Sequence, residues 1–172
     1  VVEDYAHHPT EINAFLSSRR EILPEYALQV VFQPHRFSRT EALAKRFAEE
    51  LSQADDLYLL PTYPAFEKFS TGGSVESLMG YLPPRLRKRA NIYSDFRSLC
   101  KSLAISSSTP IKDQVLFVGA GDLERWAHAF ASWEKANGQK LEAFRFYLDG
   151  KLSKNTKLIE NEPLGNKTTI GV

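Results

Sequence analysis

Three short apolar runs constrain this chain more than anything else in it: Ala27–Phe32 (ALQVVF), Asp56–Pro61 (DLYLLP) and Gln114–Val118 (QVLFV). Each is too short for a buried helix, is rich in β-branched or large apolar residues, and has no polar alternation, which is the pattern of strands covered on both faces. Each is followed by a loop and then by residues at helical spacing. Thr40–Ser52 places Leu43, Phe47, Ala48 and Leu51 on one face, with Thr40 as candidate N-cap, and Asp95–Ala104 turns Phe96, Leu99, Cys100 and Leu103 inward. Pro9 suits the first turn of a helix reaching about Arg20, Val75–Tyr81 reads as a further helix, and another runs from the GAGD turn to about Asn137. Val1–Val2 leads into Asp4 as the end of a short strand, and Asn91–Ser94 is a weak strand.

Strands alternating with helices at this spacing imply parallel pairing through right-handed crossovers. The expected fold class is α/β, Rossmann-like, a mostly parallel sheet with helices on both faces and a short C-terminal extension. The pattern dissolves at Gly138, so residues 1–138 are expected to form the domain and 139–172 a linker into something else.

Composition narrows the function classes. Lys and Arg number 22 against 21 Asp and Glu, so the overall charge names neither nucleic acid nor membrane as a partner. The single cysteine, Cys100, excludes an internal disulfide framework and a multi-cysteine zinc site, and reads as a small buried side chain. No apolar run approaches a membrane span and no basic-then-apolar leader opens the chain, so a cytoplasmic location is expected. The chain opens without methionine on a β-branched pair running straight into a chemically loaded loop, as a domain cut from a longer protein would. The basic run Pro84–Arg89 lacks interleaved aromatics and is expected to be a solvated helix end. Trp126, Phe130 and Trp133 read as a core stripe.

The chemistry is concentrated in loops that follow strands, and in such sheets ligands bind beyond the carboxyl ends of the strands. In FQPHRFSRT, His35, Arg36 and Arg39 can converge on a carboxylate or phosphate, with Ser38 and Thr40 adding hydroxyls at a helix start. A solvated helix start with arginines paired to surface acids is the equal alternative from spacing alone. In DYAHHPTE, Asp4 can accept from ribose hydroxyls or help position a cation, His7 can face a ligand, and His8 is expected to serve the structure; adjacent histidines diverge, which argues against a shared metal. Gly119-Ala120-Gly121-Asp122 lacks the third glycine of a dinucleotide fingerprint, and there is no Gly-Lys-Ser/Thr phosphate loop, so the chain carries no P-loop of its own.

Together DYAHHPTE, FQPHRFSRT, the YPA loop at Tyr63-Pro64-Ala65 and strand-GAGD-helix occur in the order seen in the C-terminal domain of the Mur ligases, which this chain resembles over roughly residues 1 to 137. The histidine-arginine cluster is similar to that of the branch joining L-alanine to UDP-N-acetylmuramate. The resemblance implies an ATP-dependent, ADP-forming amide ligase of peptidoglycan synthesis, in which the sugar's carboxylate is phosphorylated and then attacked by the alanine amine. It implies that Asp4 and His7 bind ATP, that His7 is catalytic, and that Tyr5, His35, Arg36 and Arg39 bind L-alanine. Magnesium and most of the ATP site would belong to a central domain, and the UDP-sugar to an N-terminal one, so the fragment alone would be inactive. A ligase that reattaches recycled murein tripeptide, or a non-enzymatic nucleotide or amino-acid binding module, are the alternatives.

Two segments depart from that pattern. Phe66 stands where the family has the glycine of a Gly-Glu pair, so no ligand is assigned to the loop through Ser74. The tail IENEPLGNKTTIGV resembles the opening of UDP-N-acetylenolpyruvoylglucosamine reductase, which implies a fused, FAD-dependent second enzyme whose flavin site lies beyond this chain.

Overall fold

The computed structural model describes residues 1–106 and 113–135. The expected extension at 139–172 and the reductase-like tail lie outside the described residues. In chain order the elements are β1 (Val2–Asp4), α1 (Pro9–Ile22), β2 (Ala27–Phe32), α2 (Phe37–Leu51), β3 (Asp56–Leu59), α3 (Val75–Tyr81), α4 (Pro84–Arg87), β4 (Ala90–Ile92), α5 (Phe96–Ser106), β5 (Asp113–Val118) and α6 (Leu123–Lys135). The strands form one five-stranded sheet in the order β1-β5-β2-β3-β4, every pair parallel. This is the expected α/β class.

The absence of polar alternation in the apolar runs has a direct cause. Along β2, Leu28, Val30 and Phe32 enter the core under α1, α2 and α3, while Val31 enters the one under α5 and α6. β5 does the same, with Leu116 and Val118 on one side and Val115 and Phe117 on the other. The first core closes on Ile12, Leu16, Phe47 and Leu51, all fully buried; burying one such side chain contributes about 1.5–3 kcal/mol. The second holds Phe96, Leu99, Cys100 and Leu103, the face expected of α5, together with Phe130. Trp126 packs at its margin against Phe96, while the side chain of Trp133 is outside the described set. Burial pushes the Cys100 thiol up, so it stays protonated and inert.

α1 starts as the sequence predicts. His8 is its N-cap, with Nδ1 accepting from the Thr10 N–H, Pro9 in the first turn, and Glu11 accepting from the His8 N–H in a capping box. His8 thus serves the structure. The start of α2 corrects the expectation for Thr40. The helix begins at Phe37, and Thr40 is buried one turn inside it, its hydroxyl donating to the Arg36 carbonyl at 2.8 Å. Arg36 occupies the N-cap position at φ 72° with no side-chain cap of its own. The cap comes instead from a distant loop, as Glu67 accepts from the Ser38 N–H at 2.9 Å. The basic run behaves as a solvated end: Arg89 forks onto Asp56, Arg87 donates to the Leu82 carbonyl, and Leu86 is buried. At the opposite edge of the sheet Asp55 joins β2 to β3, accepting from the Leu28 N–H and from Arg20 at 2.9 Å each.

Candidate functional site

The strand order brings the carboxyl ends of β1, β5, β2 and β3 side by side, and backbone bonds stitch the loops beyond them. Gly119 donates to the Asp4 carbonyl at 3.1 Å, and Gln33 to the Val118 carbonyl at 3.1 Å. Tyr63 donates to the Pro34 carbonyl and Arg36 to the Tyr63 carbonyl, each at 2.8 Å, which prolongs the β2–β3 pairing through a bridge between His35 and Tyr63. Gly119 is required where it stands: its φ is +153°, and a Cβ there would lie 2.8 Å from the Gln33 carbonyl oxygen. The GAGD turn therefore serves close approach of the β5 and β2 loops.

On this edge four rings from three loops make a row. Tyr5 meets His7 edge-on at 5.5 Å, His7 meets His35 at 5.9 Å, and His35 stacks on Tyr63 at 5.5 Å and 12°. The His7 Nδ1 lies 3.0 Å from the Tyr5 carbonyl, and a carbonyl only accepts, so that nitrogen carries the proton. In the neutral ring Nε2 is then the lone-pair nitrogen.

The arginine cluster divides into a fastened member and an open one. Arg36 Nε donates to Glu67 Oε1 at 2.8 Å, and Glu67 also accepts from the Ser38 N–H at 2.9 Å and the Ser38 hydroxyl at 2.6 Å. Those Ser38 bonds, then Arg36, hold the Glu67 carboxyl down to about 2, so it is ionised at any physiological pH. By contrast His35 Nδ1 and Arg39 Nη1 are buried atoms without a hydrogen-bond partner. Buried polar atoms are nearly always satisfied, and these nitrogens, with Gln33 Oε1, are the exceptions among the described residues. His35 titrates below the usual imidazole range, first because of burial and then because of the charges of Arg39, His7 and Arg36. It is a neutral hydrogen-bonding group beside two guanidinium charges.

Asp4 stands at the other end of the row. Its Oδ1 accepts from the Ala6 N–H at 2.8 Å, which fixes the turn and leaves acceptor capacity for a hydroxyl. Beside it opens a cleft of about 240 Å³ walled by Asp4, Tyr5, Phe117, Gly119 and Leu123, with Glu3 and Glu124 at its rim. That is below the roughly 300–1,000 Å³ of clefts enclosing a whole ligand, so it has room for one part of a larger ligand. The carboxylates of Glu3, Asp4 and Glu124 make its lining repel anions and suit a group bearing hydrogen-bond donors. At the same rim His128 pairs with Glu3 at 3.2 Å and with Glu124 at 4.0 Å.

The site residues expected from the sequence therefore share one edge. What sequence reasoning missed is Glu67, in the loop left without assignment. Its signal was present in the acid of the Phe66-Glu67 pair, one loop away from the arginines. Phe66 itself takes φ 73° with its ring fully exposed, a left-handed conformation that glycine adopts without cost.

A family described as "Mur ligase, glutamate ligase domain" matches residues 1–121. The chain belongs to the Mur ligase family. Among its Mur ligase relatives, the UDP-N-acetylmuramate--L-alanine ligase of Desulforapulum autotrophicum is 41% identical over 123 residues, covering 72% of this chain and 26% of that protein. The enzyme of the same name from Ligilactobacillus salivarius is 34% identical over 134 residues, covering 76% and 27%. The crystal structure of the Thermotoga maritima UDP-N-acetylmuramate-alanine ligase superposes with a TM-score of 0.56 at 28% identity, over 78% of this chain and 26% of that one. A domain of a putative UDP-N-acetylmuramate:L-alanyl-γ-D-glutamyl-meso-diaminopimelate ligase from Haemophilus ducreyi, at TM-score 0.52 and 18% identity over 74% of this chain and 85% of that one, shares the fold. The chain thus spans about a quarter of the length of the curated relatives it matches.

Proposed function

We propose that this chain is the C-terminal domain, residues 1–138, of an ATP-dependent ligase that joins L-alanine to UDP-N-acetylmuramate in peptidoglycan synthesis. The observation that carries the reading is the pair of buried nitrogens without a hydrogen-bond partner, His35 Nδ1 and Arg39 Nη1, beside Arg36 at the carboxyl edge of the sheet. The relatives named for that reaction support the choice of amino acid. In this reading Arg39, His35 and the free N–H groups of Arg36 hold the alanine carboxylate, and Tyr5 flanks the amino acid. His7, fixed through Nδ1, presents Nε2 as the base that receives a proton from the alanine amine. Asp4 accepts from the ribose hydroxyls in the neighbouring cleft, and His7 also lies towards the phosphates.

ATP supplies the phosphoryl group that activates the sugar's carboxylate, and magnesium is held by a domain outside this chain. What these residues contribute is orientation and charge neutralisation: fixing the amine near its electrophile can account for about 7–11 kcal/mol of a barrier. Without the remaining domains the fragment is inert. Residues 139–172 lead, in the same proposal, into an FAD-dependent UDP-N-acetylenolpyruvoylglucosamine reductase, and the whole acts in the cytoplasm.

The test is phosphate release by the full-length polypeptide carrying this chain, with ATP, magnesium and UDP-N-acetylmuramate. Release that depends on L-alanine is expected. Release with a murein tripeptide in place of alanine transfers the domain to the recycling ligase, and release with neither removes the enzymatic reading.

A further inference from the structure

Two guanidinium groups at one site attract any anion, and a doubly charged one more than a singly charged one. Only one of the two is left uncompensated here. Glu67 faces Arg36 across 2.8 Å and is held there by three donors, the Arg36 Nε and the Ser38 N–H and hydroxyl. Arg36 Nη2 also reaches the Ser38 hydroxyl at 3.4 Å, so the Nε side of the guanidinium belongs to this internal pair and the remaining N–H groups are left for a ligand.

The backbone is strained on both sides of the contact: Arg36 sits at φ 72°, and Ala65 and Phe66, just before Glu67, at 45° and 73°. Non-glycine residues hold such conformations only where surrounding contacts over-determine them, and strain of this kind concentrates at functional sites. Here the bonds from Arg36 N–H to the Tyr63 carbonyl and from Tyr63 N–H to the Pro34 carbonyl supply that fixing.

We propose that Glu67 is a specificity-determining residue of the anion site: it fixes Arg36 by its Nε edge and cancels one of the two guanidinium charges, matching the site to a ligand with one carboxylate. This rests on the amino-acid-binding role proposed above. Arg39, whose buried Nη1 has no partner, makes the primary contact with the ligand carboxylate, and Arg36 completes the fork from a fixed position. Glu67 remains charged at every pH at which the protein works, so the matching does not switch.

The experiment compares acetate and malonate, a monoanion and a dianion of similar chemistry, at constant ionic strength. Each is titrated into the 172-residue chain and followed by the NMR shift of the His35 ring. In the wild-type chain acetate is expected to bind at least as tightly as malonate. Glu67→Gln keeps the size and one acceptor but removes the charge, and is expected to shift the preference towards malonate by about tenfold, the effect of one extra unit charge a few ångströms away at intermediate dielectric. Glu67→Asp keeps the charge, shortens the arm and is expected to retain the wild-type preference even if both anions bind more weakly.

A purely structural role would move the two variants together. Equal preferences in wild type and Glu67→Gln, or the same shift in Glu67→Asp, overturn the proposal. Because the readout is anion binding, it stands apart from the ligase assay: lack of alanine-dependent phosphate release would fail the function, while unchanged preferences would fail the role of Glu67.

Discussion

Gly73 lies beneath the first turn of α2, and replacing it with alanine isolates the cost of close backbone approach. A Cβ at this position would fall 2.1 Å from the Phe37 carbonyl oxygen, 2.5 Å from its carbon and 2.6 Å from its Cα. Ordinary C···O contacts are no closer than about 3.3 Å, so the loop and the helix start must part by about 1 Å. The atoms in the way are backbone, so no side chain can rotate aside. Overpacking of this kind costs about 1–3 kcal/mol. Parting the loop also stretches the buried bond from the Thr62 hydroxyl to the Gly73 carbonyl, now 3.0 Å, for about 1 kcal/mol more. Alanine's smaller freedom in the unfolded chain returns about 0.4–1 kcal/mol, and Gly73 has no left-handed φ to add strain. The expected loss is about 2 kcal/mol, a urea midpoint lower by roughly 1 M at ordinary slopes.

Gly80, exposed near the end of α3 with nothing within 4 Å of its would-be Cβ, is the control. The same substitution there is expected to raise stability by up to about 1 kcal/mol. Both midpoints are read from tryptophan fluorescence during urea unfolding. A Gly73→Ala midpoint within error of wild type, or a loss at Gly80 equal to that at Gly73, would refute the reasoning.

Phe66→Gly relieves a left-handed backbone and exposes no core, so it should stabilise the chain by about 0.5–1 kcal/mol in the same titration; destabilisation would mean that the ring packs on something. Burial of Asp55 opposes its ionisation, but the Leu28 N–H and Arg20 outweigh that and hold its carboxyl below the ordinary value near 3.8. Its contribution is therefore present above the unfolded value and lost as pH falls through the lower folded one, and Asp55→Asn should flatten stability against pH in that acid window. The His35 ring should titrate below 6.5 by NMR, and Arg39→Ala should move its midpoint upwards because a repelling charge is gone; no movement would separate Arg39 from the ring. Arg36→Ala in the full-length ligase is expected to raise the KM for L-alanine while the domain stays folded by circular dichroism, and an unchanged KM removes Arg36 from the clamp.

The sheet was legible because β2 and β5 are covered on both faces, and such strands write themselves as unbroken apolar runs. Helix faces such as Phe96, Leu99, Cys100 and Leu103 were legible for the same reason, periodic burial. The start of α2 was not, because its cap is a non-local acid: local rules look for an oxygen within a turn of the helix, and Glu67 reaches Ser38 from 29 residues away. That the candidate residues would share one sheet edge was legible, but their arrangement there was not. Nothing in PHRFSRT distinguishes Arg36, bound to an internal acid, from Arg39, whose buried nitrogen is unsatisfied. That distinction depends on a loop after a different strand.

The edge strand β1 has a consequence for how the protein is made. Among the described residues β1 pairs with β5 alone, so Val2 waits for Leu116 and Asp4 for Val118 before either is locked in the sheet. As the chain emerges from a ribosome, β2 and β3 can pair long before Val2–Asp4 find their neighbour, and closing so long a loop is slow. The loops carrying the arginines can therefore come together early, whereas the Asp4 cleft closes only when β5 arrives with Phe117 and Gly119. A chain stalled before Asp113 would hold the arginine loops beside an untethered Asp4, and the cleft walled by Asp4, Phe117 and Gly119 would be completed only as β5 joins the sheet.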